Sequence, residues 1–493
     1  MERRAFLRAS GAAGLGLAAT GHTAARSRRP TARQQDGYEP LGRVAVDGAA
    51  EGVVGDDGET AYVATTTGFA TVDVSDPAEP TVLATERALE VGDGTLSEIL
   101  DVTVDGDRLV AAGPANPGYG VMGFRSYDVS DPESPEPVGA YETGYHIHNC
   151  YLDGELLFVA ANPWQEDRNL LVIYDVGDGD EIEQVGYWSL LDREPGWRDV
   201  DFLARYLHDV YVQDDIAYLP YWNAGTYLLD VSDPTDPEYV SHVAKTTLED
   251  QRTTDEAEPA QGLPGNDHYA AVDDTGDLMA VGREAWATGG DEPDRPGGID
   301  LYDVSDPSDP VHRGAIEAPR TVDESYDGGT WTTSHNFELR DGRLYSSWYR
   351  GGVKIHDVSE PGEPEELAWW RDPGETAFWT ARVVESGKTF LATSTEAIPN
   401  TSLDGALYTF PIEVGEQVDP PSLAEPSEWG SAGDETSGSD ESGDENGTND
   451  GSDGDEDGSD GGDSIPGFTG LTGAAAGAAT LEWLRRRGGN VQD

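Results

Sequence analysis

Residues 71–77 read Thr71-Val72-Asp73-Val74-Ser75-Asp76-Pro77, and the same phrase returns along the chain. It stands again as Ser126-Tyr127-Asp128-Val129-Ser130-Asp131-Pro132, as Leu228-Leu229-Asp230-Val231-Ser232-Asp233-Pro234, as Leu301-Tyr302-Asp303-Val304-Ser305-Asp306-Pro307 and as Ile355-His356-Asp357-Val358-Ser359-Glu360-Pro361. A sixth copy, Val172-Ile173-Tyr174-Asp175-Val176, lacks the Ser and Pro, and a seventh, Ala406-Leu407-Tyr408-Thr409-Phe410, keeps only the apolar run. With the Asp before Val as marker, the steps are 55, 47, 55, 73 and 54 residues, the long one holding a polar insertion at 246–265. β-Branched and aromatic residues favour a pleated strand, Asp caps a turn, and Pro cannot donate to a ladder, so each phrase is a strand that stops abruptly. Calcium binding is the sharper reading of the repeated acids, but turn chemistry accounts for all of them.

Two further strands joined by a tight turn precede each phrase, as in Asp209-Val210-Tyr211-Val212 and Ile216-Ala217-Tyr218-Leu219 around Asp214-Asp215. A short strand follows it, as in Tyr239-Val240-Ser241-His242-Val243. Four short strands per unit, repeated, predict an all-β fold of four-stranded blades, a β-propeller over residues 38–416. The segment Pro40-Leu41-Gly42-Arg43-Val44-Ala45-Val46 matches the outer-strand pattern Pro137-Val138-Gly139-Ala140-Tyr141, and the last unit degenerates after Phe410. An N-terminal strand completing the last blade explains both and removes two exposed edges. The count is seven blades, with six as the alternative if the last unit is only a cap.

These phrases resemble the LVIVD-repeat family, named for the strand that precedes the Ser-Asp-Pro turn. The resemblance implies a propeller and carries no enzyme activity with it.

The chain holds 96 Asp and Glu against 31 Lys and Arg, a formal charge of −65, and its lysines are Lys245, Lys354 and Lys388. Such a chain repels itself unless salt screens it, and an acidic, lysine-poor composition is similar to that of proteins from high-salt environments, here read as a haloarchaeal character. Residues 413–463 supply only 18 of the acids, so most of the excess falls on the folded part. Nucleic acid is excluded as a partner because like charges repel. The single cysteine, Cys150, excludes an intrachain disulfide and reads as a buried, inert thiol.

Residues 1–35 begin with Arg3-Arg4-Ala5-Phe6-Leu7 and continue into a small-residue apolar run, which resembles a twin-arginine export leader. Residues 417–463 are Gly, Ser, Asp, Glu and Thr with little that is apolar, and predict a disordered acidic linker. Residues 464–493 hold Pro466-Gly467-Phe468, an Ala- and Gly-rich stretch and Arg485-Arg486-Arg487. That arrangement resembles the tail processed by archaeosortases, which implies loss of the helix and lipid attachment near Pro466-Gly467-Phe468. A retained membrane anchor is the alternative, since the stretch would rise about 27 Å as a helix. Sequons at Asn400 and Asn446 are glycosylation candidates.

Aligned on the first hairpin turn of each unit, four histidines fall in register: His148, His208, His268 and His335. The equivalent positions in the other units lie near Glu51, Leu100 and Thr380. First strands line a propeller's channel, so the four imidazoles should converge on one mouth, where Zn, Cu or Fe is the fitting cofactor. Asn149, Asp209, Asp267 and Asn336 are candidates to orient the rings. The competing reading is architectural, with each His tying a loop to its blade. No nucleophile elbow, phosphate-cradling loop or His-Glu-x-x-His is present. The expectation is therefore an exported, surface-tethered, monomeric propeller that binds an extracellular ligand or surface-layer component without catalysis, touching the membrane only through its C-terminal anchor or lipid. A metal-dependent extracytoplasmic oxidase or hydrolase is the alternative.

Overall fold

A computed structural model describes residues 37–429, except 119, 178, 180, 253–260, 291–292, 399–402 and 426–428. The expected leader with Arg3 and Arg4, most of the acidic linker, Pro466-Gly467-Phe468 and the sequons at Asn400 and Asn446 lie outside the described residues. Among the described residues, no helix is long and apolar enough to cross a membrane.

Seven blades of four antiparallel strands follow one another, the first six each a meander. We number them as blades 1 to 7, opening at Gly52–Val54, Asp101–Asp105, Ile147–Asp153, Tyr211–Gln213, Asp267–Val272, Phe337–Arg340 and Phe378–Glu385. Blade 7 has only three strands of its own sequence. Its fourth is Gly42–Ala45, which pairs with Ala406–Pro411 through Gly42↔Thr409, Arg43↔Tyr408, Val44↔Leu407 and Ala45↔Ala406. The ring thus closes as the Pro40 to Val46 pattern predicts, and the blade count is seven. A segment not foreseen, Gly415–Glu416, adds in parallel to the outer strand of blade 6. The chain keeps contact beyond it: Arg371 donates to Pro421 O at 2.9 Å, and Trp429 Nε1 to Ser422 O at 2.6 Å.

The recurring phrase is the third strand of its blade, buried along its length, as in Gly68–Asp73. Its Asp then turns the chain. Asp73 accepts the Ser75 N–H at 2.9 Å and its hydroxyl at 2.6 Å, and Asp230 does the same with Ser232 at 3.0 and 2.6 Å. Asp303 and Asp357 repeat the motif with Ser305 and Ser359. Six blades share a register shift between the third and outer strands, as at Thr71/Val72 and Leu228/Leu229. Such a bulge bends the outer strand and increases its twist. The outer strand of blade 7, delivered by the N-terminus, has none.

Neighbouring blades lock through these turns. The Pro of one Ser-Asp-Pro turn offers its carbonyl to a hydroxyl on the blade before it: Thr71 donates to Pro132 O at 2.6 Å. In blades 3 and 5 the outer strand has a glycine opposite the corresponding carbonyl of the next blade. A Cβ at Gly186 would lie 1.9 Å from Pro234 O, and one at Gly314 would lie 2.2 Å from Pro361 O. This is why Val-Gly or Arg-Gly recurs in the outer strands. Between the sheets the apolar faces interlock in separate clusters, such as Phe124, Leu157, Val159 and Val172 between blades 2 and 3.

Candidate functional site

The connections divide by end. Short turns join first to second strands at one end of every blade, and third to outer strands at the same end of blades 1 to 6. All the long connections, including 190–210, 244–266, 284–298 and 317–336, are at the other end, where the first strands begin. The four histidines sit there.

They form a continuous arc. Ring centroids are 4.2 Å apart for His148 and His208, 4.0 Å for His208 and His268, and 4.4 Å for His268 and His335, with Trp379 closing the row 4.2 Å beyond His335. The side chains are fully buried, and burial drives every one of these imidazoles toward the neutral form: His148 is pushed down to about 4 and His335 to about 3. His208 and His268 are also lowered well below the ordinary value, by burial and then by their histidine neighbours.

Their hydrogen bonds differ in a way that matters. His148 Nδ1 lies 2.9 Å from Ala115 O and His335 Nδ1 lies 2.6 Å from Trp379 O, which places the proton on Nδ1 and leaves Nε2 with a lone pair. Neither ring nitrogen of His208 has a hydrogen-bond partner among the described residues, and neither does Nδ1 of His268. A buried polar atom left unpaired costs about 1–3 kcal/mol, so these positions are not explained as loop ties. His268 Nε2 faces Glu284 Oε2 at 3.7 Å. The other Glu284 oxygen accepts the Tyr349 hydroxyl. Burial raises Glu284 to about 7, an effect the Tyr349 hydrogen bond partly offsets.

The sequence places His208 through a backbone clamp. Asn162 accepts Leu207 N–H at 3.1 Å and donates to its carbonyl at 2.8 Å, and His208 N–H then bonds Pro220 O at 2.9 Å. Tyr206, carried in by the 190–210 connection, receives or gives a hydrogen bond with His146 Nε2 at 2.7 Å and packs against His148 and His208. Trp222 stacks on His208 at 5.1 Å, and Tyr349 lies 4.9 Å from His335. Trp222 and Tyr349 both adopt positive φ, 42° and 46°, a conformation costly for bulky residues. In return each bridges to the next blade, at Trp222↔Asp267 and Tyr349↔Phe378.

The four expected ring-orienting neighbours are placed elsewhere. Asn149 donates to Asp209, Asn336 donates to Glu51 Oε2 at 2.7 Å, and Asp267 takes the Thr226 hydroxyl at 2.8 Å and faces Arg283 Nε at 3.2 Å. These partners engage the four side chains away from the imidazole beside each in sequence. The groups that do adjoin the rings, namely Glu284, Tyr349, Tyr206, Trp222 and Trp379, come mostly from connections. One signal was there to be aligned: Trp222 and Tyr349 each stand eight residues before a marker Asp, Asp230 and Asp357.

Beneath the arc, the channel opens as a cavity of about 290 Å³ lined by Glu51, Asp101, Asp209, Tyr269, Glu338 and Arg382, among others. Burial raises the pKa of each of these acids, Asp101 to about 7 with Glu51 adding to the effect. Arg382 is the cation among them, 2.7 Å from Glu51 Oε1. Burial opposes its charge, and Tyr269, Glu51, Glu338 and Asp209 more than restore it. Cys150 also lines this space, buried, its thiol held well above the ordinary range by desolvation and by Asp101.

The LVIVD repeat model matches residues 54–85 and 204–245, which fall on blades 1 and 4. The chain is a β-propeller, two of whose blades match the LVIVD repeat. Among solved structures, this propeller is similar to the β-propeller domain of Cps50 (Swd1) from Myceliophteria thermophila, with a TM-score of 0.51 and 9% identity over 76% of this chain and 99% of that one. A functionally unknown protein from Desulfotomaculum acetoxidans matches at a TM-score of 0.43 and 11% identity, over 65% of this chain and 84% of that chain. Hsv2 from Kluyvelomyces marxianus matches at 0.41 and 7%, over 71% and 90%. At these identities the likeness is of fold alone. No curated protein matches the propeller's sequence.

Proposed function

We propose that this propeller is an extracytoplasmic, surface-tethered binding module whose working face is the histidine end. The observation that carries the reading is the asymmetry of the connections. Blade ends carrying near-identical turns present a monotonous surface, whereas the opposite end gathers connections of unequal length and composition, where a rigid ring supports specific recognition. Export and tethering rest on the Arg3-Arg4 leader pattern and the Pro466-Gly467-Phe468 tail pattern. The buried group of His208, His268 and Glu284 favours a metal-holding role at that face over a purely architectural one, but no substrate chemistry follows from it.

Two measurements test this on the full chain in cells. Changing Arg3 and Arg4 to Lys should move the protein from the protease-accessible surface to the interior; surface exposure unaffected by that change rejects the export route. Single cysteines for cross-linking at Val322, exposed on a long connection, and at Ser232, on a turn, should capture a surface component from the first position only. Capture from the turn position alone would assign the working face to the other end.

A further inference from the structure

We propose that His208, His268 and Glu284 hold one divalent transition ion at the mouth of the central channel. The inference stands on the geometry of these three residues and does not depend on where the protein resides.

One ligand atom from each residue lies within 4.8 Å of the other two, and all three side chains are buried. Two ligand atoms bound tetrahedrally at about 2.0–2.1 Å stand about 3.4 Å apart. The 3.7 Å between His268 Nε2 and Glu284 Oε2 is too long for a hydrogen bond and close to that ligand-to-ligand span. Independent of the clustering, His208 offers two ring nitrogens and His268 one that no described residue partners. Buried imidazoles are ordinarily satisfied, and a cation held by one nitrogen of His208 and by Nε2 of His268 would give His208 the partner that no described residue supplies. Two imidazoles and a carboxylate are the donors that zinc and its row neighbours take, with a fourth position left open.

The surroundings are arranged as outer supports of such a site. Tyr349 donates to one oxygen of Glu284 and leaves the other facing His268. That tie fixes a ligating carboxylate. On either side, His148 and His335 have Nδ1 bonded to backbone carbonyls, so each presents a basic Nε2 rather than an N–H.

The test uses the full chain, stripped with a chelator, returned to metal-free buffer in high salt and titrated with Co²⁺. The expected result is one Co²⁺ per chain with the intense visible bands of a four- or five-coordinate site, displaced by Zn²⁺. Glu284→Gln keeps the acceptor for Tyr349 and His208→Ala removes an imidazole; each should weaken binding by at least tenfold while the chelated protein keeps its circular dichroism and melting midpoint. Tyr349→Phe should weaken binding by about 10–100-fold, the size usual for a lost outer partner. Should His208→Ala fail to fold, Glu284→Gln alone decides. Absence of stoichiometric binding by the wild type, or unchanged binding in folded Glu284→Gln, overturns the proposal. So does uptake lacking the visible bands and equal in wild type and variants, which would be the acidic surface acting as an ion exchanger.

Discussion

At the turn end of the blades, Asp73, Asp230, Asp303 and Asp357 lie at the surface, each with an oxygen engaged by the serine two residues on. In the channel, Glu51, Asp101 and Asp209 lie buried near one another and near the guanidinium of Arg382. The same chemical group therefore behaves oppositely at the two places. Serine hydrogen bonds hold the turn acids below the usual carboxylate range, and burial holds the channel acids above it. The turn acids are prominent in the sequence because the ring repeats them, and they are self-contained. The channel and histidine groups differ from blade to blade, and several are left unsatisfied by the protein alone.

Removing the channel's cation should produce the largest effect. Arg382→Leu leaves Glu51, Glu338 and Asp209 buried without their cation, and we expect a loss of about 3–5 kcal/mol in denaturant unfolding. A loss below 1 kcal/mol would mean that water reaches these acids.

The next effect is a change of sign with pH. Asp101 is raised to about 7 from an ordinary 3.8, so its protonated form favours the fold. That contribution is complete below pH about 4 and is lost as pH rises toward 7. Asp101→Asn, neutral throughout, should therefore gain on the wild type by roughly 2–3 kcal/mol between pH 5 and pH 8. Asp303, lowered to about 2 by Arg313 and Ser305, works in the opposite direction: its contribution is present above pH about 4 and is lost as pH falls toward 2. A stability difference between Asp101→Asn and wild type that is flat with pH would break the contrast.

At the turn end, the backbone contact should matter more than the acid. Gly186→Ala forces a methyl group against Pro234 O, and we expect about 1–3 kcal/mol of destabilisation, read as a lower melting midpoint. Asp230→Ala removes only a surface turn cap and should cost less than about 1 kcal/mol. If the order of these two were reversed, the turn acids would be carrying strength that the packing does not show.

Much of this was legible in the sequence because repetition multiplies weak signals. One strand-stopping phrase is ambiguous, but five copies at similar spacing are not. The match of Leu41-Gly42-Arg43-Val44 to Val138-Gly139-Ala140-Tyr141 gave the closing strand, since both glycines face a carbonyl of the next blade's turn, Pro77 O for Gly42 and Gly179 O for Gly139. The histidine arc was legible for the same reason, each His opening a first strand at a fixed distance from its turn. Glu284 was not. It lies where the second strand of blade 5 runs into a 284–298 connection that has no counterpart of equal length, so no alignment brings it beside His268. Asn149 and Asn336 misled through adjacency: each stands beside its histidine in sequence but bonds a residue of another blade, Asp209 and Glu51.

The strand at Gly42–Ala45 pairs with residues 361 to 367 positions later. At ordinary rates of synthesis, about 5–20 residues per second, it waits on the order of 20–70 s for its partner to emerge. Among the first ordered residues made, it is among the last to be placed. The ring therefore has a seam that shuts only once blade 7 exists. A chain interrupted anywhere before Ala406 leaves the ring open, with bare strand edges at the gap, so complete synthesis and closure of the ring amount to one event.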